Sequence, residues 1–274
     1  MNHQNMRDEK ILTKQYKNSK NLDIRQSFHQ NYGTNPIEYK SWIRSKMTFF
    51  KGCRILELGC GTGSLWRREA ELIDSFSELV LSDISEGMVE ETKKSYAEQK
   101  NVTCEVFDIL DISYPEDSFD IIIADSMLYH VPNLEQALKN IHRILKKDGI
   151  FYATTFSSSE GLINYINHAL YEMRLSATDQ SKRISFSLEN GSELLSKYFS
   201  SVKKELYIDD LEVTKSEDIV KYILSMSSML HVDVSDRAKM LAYFESQKDS
   251  SGVIKIPKLY GMFILKNKKL KVGS

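Results

Sequence analysis

The chain predicts an α/β fold, a doubly wound, mostly parallel seven-stranded sheet of Rossmann-like type with helical N-terminal and cap insertions, and three observations predict it. Near-continuous apolar runs such as Phe119-Asp120-Ile121-Ile122-Ile123-Ala124 alternate with amphipathic helical stretches, as strands covered on both faces require. The first run passes through Gly59-Cys60-Gly61-Thr62-Gly63 directly into a helix-prone segment, a strand-to-helix turn through glycines. At 274 residues the chain is long enough for one large domain with insertions.

Taken in order, residues 1–20 are polar and carry Arg7, Lys10, Lys14, Lys17 and Lys20, so they bury little unless something docks on them. From Asn21 to Phe50 anchors such as Leu22, Ile24, Phe28, Trp42, Ile43 and Met47 appear, and Tyr32-Gly33-Thr34-Asn35-Pro36 reads as a turn. Two helices lying over the core are expected there, and residues 1–50 form a lid segment on a domain spanning 51–274. Strands are expected at 54–59, 78–84, 102–108, 119–126 and 150–156, with helices near 64–75, 86–99 and 134–146. In the third helix Leu134, Leu138, Ile141 and Leu145 recur at helical spacing, and Lys146-Lys147-Asp148-Gly149 reads as its C-terminal close.

After Phe156 the alternation stops. A helical insertion is expected at about 157–187, and Asn190 with Glu193 reads as a capping pair. A strand at 201–213, helices within about 214–250 and a strand at 252–266 complete the chain, and the two insertions are expected to cap the sheet.

Composition excludes several partners. Thirty-seven basic side chains balance 38 acidic ones, so no global field favours nucleic acid or an anionic membrane. Cys53, Cys60 and Cys104 form no CxxC pair and suit reduced thiols, which points to a cytoplasmic protein. No run of about 18 apolar residues and no N-terminal apolar core suggest membrane insertion or secretion. No His, Asp or Glu cluster has metal-ligand spacing, so no metal is expected.

Asp83 closes the second strand 20 residues after Gly63, where a carboxylate accepts from ribose hydroxyls. The dinucleotide fingerprint needs a glycine at position 64, which is Ser64, and Glu57 at the strand end suits a cationic ligand better than a pyrophosphate. With Glu57 to Gly63, Asp83, Asp108-Ile109, Phe119 to Asp125, Leu128 to Pro132 and Leu145 to Gly149 in order, the chain resembles the small-molecule branch of the class I S-adenosylmethionine-dependent methyltransferases. The resemblance covers residues 50–156 and is looser on the flanks.

It implies S-adenosylmethionine as cofactor and S-adenosylhomocysteine as product. The cofactor site would comprise Glu57, Gly59, Cys60, Gly61, Asp83, Ile84, Met88, Asp108, Ile109 and Asp125: the glycine turn beside the methionine moiety, Asp83 on the ribose, Ile84 and Met88 along the adenine, and Asp108 with the Ile109 N–H at the adenine edge. Asp83 has the alternative role of a helix-capping acid ahead of Ser85-Glu86. Tyr129 and His130 follow the fourth strand and are the catalytic candidates, His130 as a general base or as a hydrogen-bonded structural histidine. Arg25 or Tyr16 is a candidate for the methionine carboxylate, while His29, Tyr32, Trp42 and Trp66 read as packing residues or site neighbours. Met173, Met226, Met229 and Met240 suit either an adaptable pocket or ordinary core.

The sequence after the fourth strand, Asp125-Ser126-Met127-Leu128, departs from the motif of enzymes that methylate planar amide or base amino groups, and a small acceptor bearing O, N, S or activated carbon remains. The rival readings are a catalytically silent cofactor-binding sensor or partner protein, an NAD(P)-dependent oxidoreductase, and an RNA methyltransferase supported only by the basic ends.

Overall fold

The computed structural model describes residues 19–175 and 184–267. Seven strands, β1 (Arg54–Leu58), β2 (Glu78–Asp83), β3 (Val102–Val106), β4 (Phe119–Asp125), β5 (Leu145–Phe156), β6 (Ser201–Val213) and β7 (Ile254–Lys266), form one sheet in the order β3-β2-β1-β4-β5-β7-β6. All neighbours run parallel except β7, which is antiparallel to β5 and β6. Around them lie α1 (Lys20–Tyr32), α2 (Tyr39–Lys46), α3 (Ala70–Asp74), α4 (Glu86–Ser95), α5 (Leu134–Ile144), α6 (Leu162–Glu172), α7 (Gly191–Ser196), α8 (Ser216–Leu224), α9 (Ser227–Leu230) and α10 (Arg237–Ser246).

The central strands are apolar at successive positions because successive side chains point to opposite, equally buried faces. Leu56, Ile122 and Ala124 pack with Leu138 and Ile141 of α5 on one face, while Ile55, Ile121 and Ile123 pack with Trp42 and Ile43 of α2 on the other. Strand order reverses at β1, whose neighbours are β2 and β4, so the crevice of a doubly wound sheet opens at the carboxyl ends of β1 and β4.

The long β6–β7 hairpin decides the rest. Only Tyr260–Lys266 of β7 pairs with β5, whereas β6 and β7 stay paired out to Val213 and Ile254. The half beyond β5 carries Leu211, Val213, Ile254 and Ile256 into a third apolar cluster with α1, α6 and α8 to α10, which makes the cap. Met173, Met226, Met229 and Met240 are buried within that cluster and serve as core.

Some local expectations are corrected. The helix expected at 64–75 is a 3-10 turn, Ser64–Trp66, then a break at Arg68 (φ 67°) before α3, because Trp66 turns inward to full burial. The helix expected at 86–99 stops at Ser95. The expected close at Lys146 to Gly149 is part of β5: α5 ends at Ile144, Leu145 is already extended, and Asn267 donates from its side chain to the Leu145 carbonyl. Asn190 makes no side-chain cap to α7, since its amide oxygen accepts from the Ser187 N–H and its amide nitrogen donates to the Ile184 and Ser185 carbonyls. The basic N-terminal run with Tyr16, residues 176–183 of the first insertion and the C-terminal lysines after Asn267 lie outside the described residues.

Candidate active site

The site begins with three left-handed glycines, Gly59 (φ 64°), Gly61 (φ 56°) and Gly63 (φ 68°), a backbone that side-chain-bearing residues rarely adopt. Their neighbours differ. A Cβ at Gly63 would stand 2.6 Å from the Tyr96 ring, whose hydroxyl donates to the Gly63 carbonyl at 2.5 Å, so this glycine lets α4 and its exit pack close. A Cβ at Gly59 would stand 2.9 Å from the Met127 side chain, and one at Gly61 would meet Leu22 of α1 at 3.3 Å. Cys60 is buried, with its N–H on the Ser82 carbonyl, and burial pushes its thiol up.

Asp83 joins the glycine turn to the start of the next helix, α4: one carboxylate oxygen accepts from the Gly61 N–H at 2.9 Å and the other from the Ser85 N–H at 2.9 Å. Burial raises its pKa, opposed by these N–H donors. Ile84 beside it is 51% exposed, an apolar surface at the crevice mouth, whereas Met88 is 1% exposed and belongs to the interior. Asp108 accepts from the Leu110 N–H at 2.9 Å, and Ile109 packs its side chain into the core while its carbonyl accepts from Asn140. Asn140, unremarked in the sequence, thus holds this loop from α5.

Glu57 is a buried, hydrogen-bonded carboxyl, 2% exposed, and accepts from the Trp66 indole N–H at 2.6 Å. Burial, then the negative charge of Asp125, raises its pKa to about 8, with Lys40 opposing. Asp125 is buried too, but its pKa is lowered: the burial penalty is outweighed by an ion pair with Lys40 and by hydroxyl donors from Thr154 (2.6 Å) and Ser126 (3.1 Å). Ser126 follows with a left-handed backbone (φ 57°), a strained turn at the crevice. Lys40 was not singled out by the sequence, and no spacing could have found it: its partner is 85 positions away.

Tyr129 and His130 stand on a 3-10 turn, Leu128–His130, directly after β4. Their rings lie 4.5 Å apart, and Tyr129 meets Phe156 edge-on at 4.9 Å.

Helix α1 packs against the glycine turn. Besides Leu22 over Gly61, its Gln26 donates to the Ser64 hydroxyl at 3.4 Å, and the Ser19 N–H reaches Glu91 of α4 at 3.4 Å. Its other flank enters the cap: Arg25 donates to the Ser225 carbonyl, Phe28 packs on Tyr222, and the Tyr32 hydroxyl donates to Asp218 at 2.7 Å. Arg25 is therefore turned to the cap, and Trp42 and Trp66 are core. The turn after α1 is pinned by Asp209, which accepts from the Thr34 and Asn35 N–H groups at 2.8 Å and pairs with Lys258 at 2.7 Å, both charges 2% exposed. Among the described residues no group of three or more His, Cys, Asp or Glu is placed to hold a metal, and no helix is long and apolar enough to cross a membrane.

This geometry coincides with a known family: the family described as methyltransferase domain matches residues 49–224. The chain belongs to that methyltransferase family. Demethylmenaquinone methyltransferase of Staphylococcus epidermidis is 30% identical over 116 residues, covering 41% of this chain and 48% of that protein. Malonyl-acyl-carrier-protein O-methyltransferase of Bacillus cereus is 33% identical over 118 residues, covering 42% of each. The chain thus spans about half the length of the curated relatives it matches. Among solved structures, Haemonchus contortus phosphoethanolamine N-methyltransferase 2, in complex with S-adenosyl-L-methionine, superposes with a TM-score of 0.60 at 16% identity, covering 96% of this chain and 60% of that one. The (4+2)-cyclase SpnF superposes with a TM-score of 0.56 at 17% identity, covering 93% and 94%. These two likenesses establish the methyltransferase fold of the chain, with the seven strands in the order given above.

Proposed function

We propose that this chain binds S-adenosylmethionine in the crevice above β1, β2 and β4 and transfers its methyl group to a small-molecule acceptor, releasing S-adenosylhomocysteine. The observation that carries the reading is the coupling of the left-handed glycine turn to Asp83 through the Gly61 N–H, with exposed Ile84 alongside. The residues fit such a ligand: backbone without Cβ for close approach, a carboxylate with further lone pairs for ribose hydroxyls, and apolar surface for a base. When bound, the cofactor supplies an activated methyl on a sulfonium, so the chain has to hold, orient and exclude water. Gly59, Cys60 and Gly61 would border the methionine end, Asp83 the ribose, Ile84 the adenine with Met88 behind it, and Asp108 with Ile109 the adenine edge. Glu57, a buried carboxyl raised to about 8, and Asp125, paired with Lys40, would lie below the cationic centre, and Tyr129 and His130 would stand on the acceptor side.

The relatives named as demethylmenaquinone methyltransferase and malonyl-acyl-carrier-protein O-methyltransferase support a small acceptor group, and the domain match at 49–224 supports a catalytic part that begins near residue 51, which we take to run over 51–274 with 1–50 as its lid. Three free thiols, Cys53, Cys60 and Cys104, support a reducing, cytoplasmic setting, and the balanced charge supports neither nucleic acid nor membrane as partner. A second reading, binding without methyl transfer, is favoured by one observation, the shared fold of a protein named as a cyclase.

Calorimetric titration with S-adenosylmethionine, S-adenosylhomocysteine and nicotinamide dinucleotides tests the proposal. Saturable binding of the first two is expected; binding of a dinucleotide alone would sink it. Turnover of bound donor with any acceptor would separate the enzyme from the silent binder.

A further inference from the structure

The polar groups of the glycine turn are held from outside it. Gly61 is gripped on both sides of its Cα: its N–H donates to Asp83 of β2 at 2.9 Å, and its carbonyl accepts from the Thr92 hydroxyl of α4 at 2.8 Å. The Cys60 thiol reaches the same carbonyl only as a weak donor, at 3.6 Å. Two residues on, the Gly63 carbonyl accepts from the Tyr96 hydroxyl at 2.5 Å, and between them the Thr62 hydroxyl accepts from Arg67 at 3.1 Å. Thr92 and Tyr96 stand four residues apart at the end of α4 and so share one face. Both lie against Gly63, where a Cβ would meet the Thr92 methyl at 3.2 Å and the Tyr96 ring at 2.6 Å.

A threonine inside a helix can turn its hydroxyl back to the carbonyl four residues earlier, and its branched side chain slightly disfavours the helix. Thr92 is fully buried, and its single hydroxyl hydrogen goes instead to a carbonyl 31 positions away. Burial, then Glu57 close by, pushes the Tyr96 phenol pKa up, so its hydroxyl stays protonated as a donor. The consequence is geometric. In a trans peptide the N–H points opposite to the carbonyl, so two carbonyls drawn toward α4 turn the N–H groups that follow them, those of Thr62 and Ser64, away from it. Glycine has the widest choice of backbone conformations, and a turn with three of them needs such outside bonds to keep one form.

We propose that Thr92 and Tyr96 are positioning residues for the cofactor: they hold the glycine turn of the free protein in the left-handed form that the bound cofactor needs, so that binding does not have to order it. Helix α4 then couples the two ends of the ligand site, because the Ser85 N–H ahead of its first turn holds Asp83, while Thr92 and Tyr96 at its last turn hold the glycines. A ligand that binds one conformer of several loses affinity in proportion to the fraction of time that conformer is present. A hydrogen bond worth about a factor of ten in that balance is worth the same factor in affinity. S-adenosylmethionine and S-adenosylhomocysteine share the parts assigned to the turn, so both lose alike. The role rests on the S-adenosylmethionine reading of the site.

The test combines calorimetric affinities of the full chain for S-adenosylhomocysteine and S-adenosylmethionine with the denaturant midpoint and with amide hydrogen exchange of the ligand-free turn. Thr92→Val, which keeps the shape, and Tyr96→Phe, which keeps the ring, are each expected to weaken both ligands about tenfold. Each should also speed exchange of the Gly61 amide in the free protein, with slow exchange restored once S-adenosylhomocysteine is saturating. Thr92→Ser keeps the hydroxyl and should return the affinities to the wild-type values. Lower midpoints with unchanged affinities in Thr92→Val and Tyr96→Phe would show that the two hydroxyls only support the fold, and an equal loss of affinity in Thr92→Ser would assign the effect to packing; either result overturns the positioning role. Should Thr92→Val fail to fold, Tyr96→Phe carries the test. Failure of S-adenosylhomocysteine to bind the wild type would instead overturn the cofactor reading beneath it.

Discussion

At the scale of single residues the chemistry is set by which carboxyl is paired. Asp125 keeps its charge because Lys40 and two hydroxyls face it, while Glu57, one strand over, has only an indole N–H and is raised to about 8. Between its ordinary value of 4.5 and about 8 the folded state holds a proton on Glu57 that the unfolded chain has lost, so the unfolded state binds fewer protons and stability falls as pH rises through that window. Glu57→Gln should flatten this decline, and thermal melts of both proteins from about pH 5 to pH 8 check it. A parallel decline in the variant would show that another group titrates. Asp83→Ala is expected to weaken binding of S-adenosylmethionine by about 1–3 kcal/mol, the cost of lost charge-assisted hydrogen bonds, and unchanged affinity would remove Asp83 from the site.

Among the elements, the glycine turn and α1 carry the most consequence. Gly63 ends the turn against the Tyr96 ring, whose hydroxyl donates to the Gly63 carbonyl. Gly63→Ala therefore combines an unfavourable φ with a steric clash and should lower stability by about 1–3 kcal/mol, read as a shift in the denaturant midpoint. Two helices ahead of β1 were legible from the anchors Leu22, Phe28, Trp42 and Ile43, because apolar spacing reports burial. Which way α1 lies was not. That direction comes from contacts with Gly61, Ser64 and Glu91 at one end and Tyr222 and Asp218 at the other.

For the whole molecule, the Asp209–Lys258 pair joins the hairpin, the turn after α1 and, through the ring contacts of Lys258, the side chains of Tyr39, Tyr207 and Tyr260. Removing one partner leaves a buried charge alone. Asp209→Ala should cost about 3–5 kcal/mol, whereas replacing both partners by apolar residues of similar volume should cost much less. Chemical denaturation of the single and double variants decides the point, and equal losses would mean that the backbone bonds of Asp209, not the ion pair, do the holding.

The local order of strands, helices and turns, the glycine spacing and the acid at Asp83 were determined by the sequence alone, because each depends on side-chain period or backbone freedom over a few residues. The errors at that range, Lys146 to Gly149 and the cap at Asn190, arose where a distant partner overrode a local signal: β-pairing took the first, and the segment from Ile184 to Ser187 took the second. Only the tertiary structure decided that Lys40 meets Asp125, that Glu57 is sealed under Trp66, and that His29 and Tyr39 join one cluster of rings with Tyr260, Phe156, Tyr129 and His130. Those juxtapositions join α1, α2, β4, β5 and β7 across scores of residues, and no periodicity within one element encodes which other element it will face.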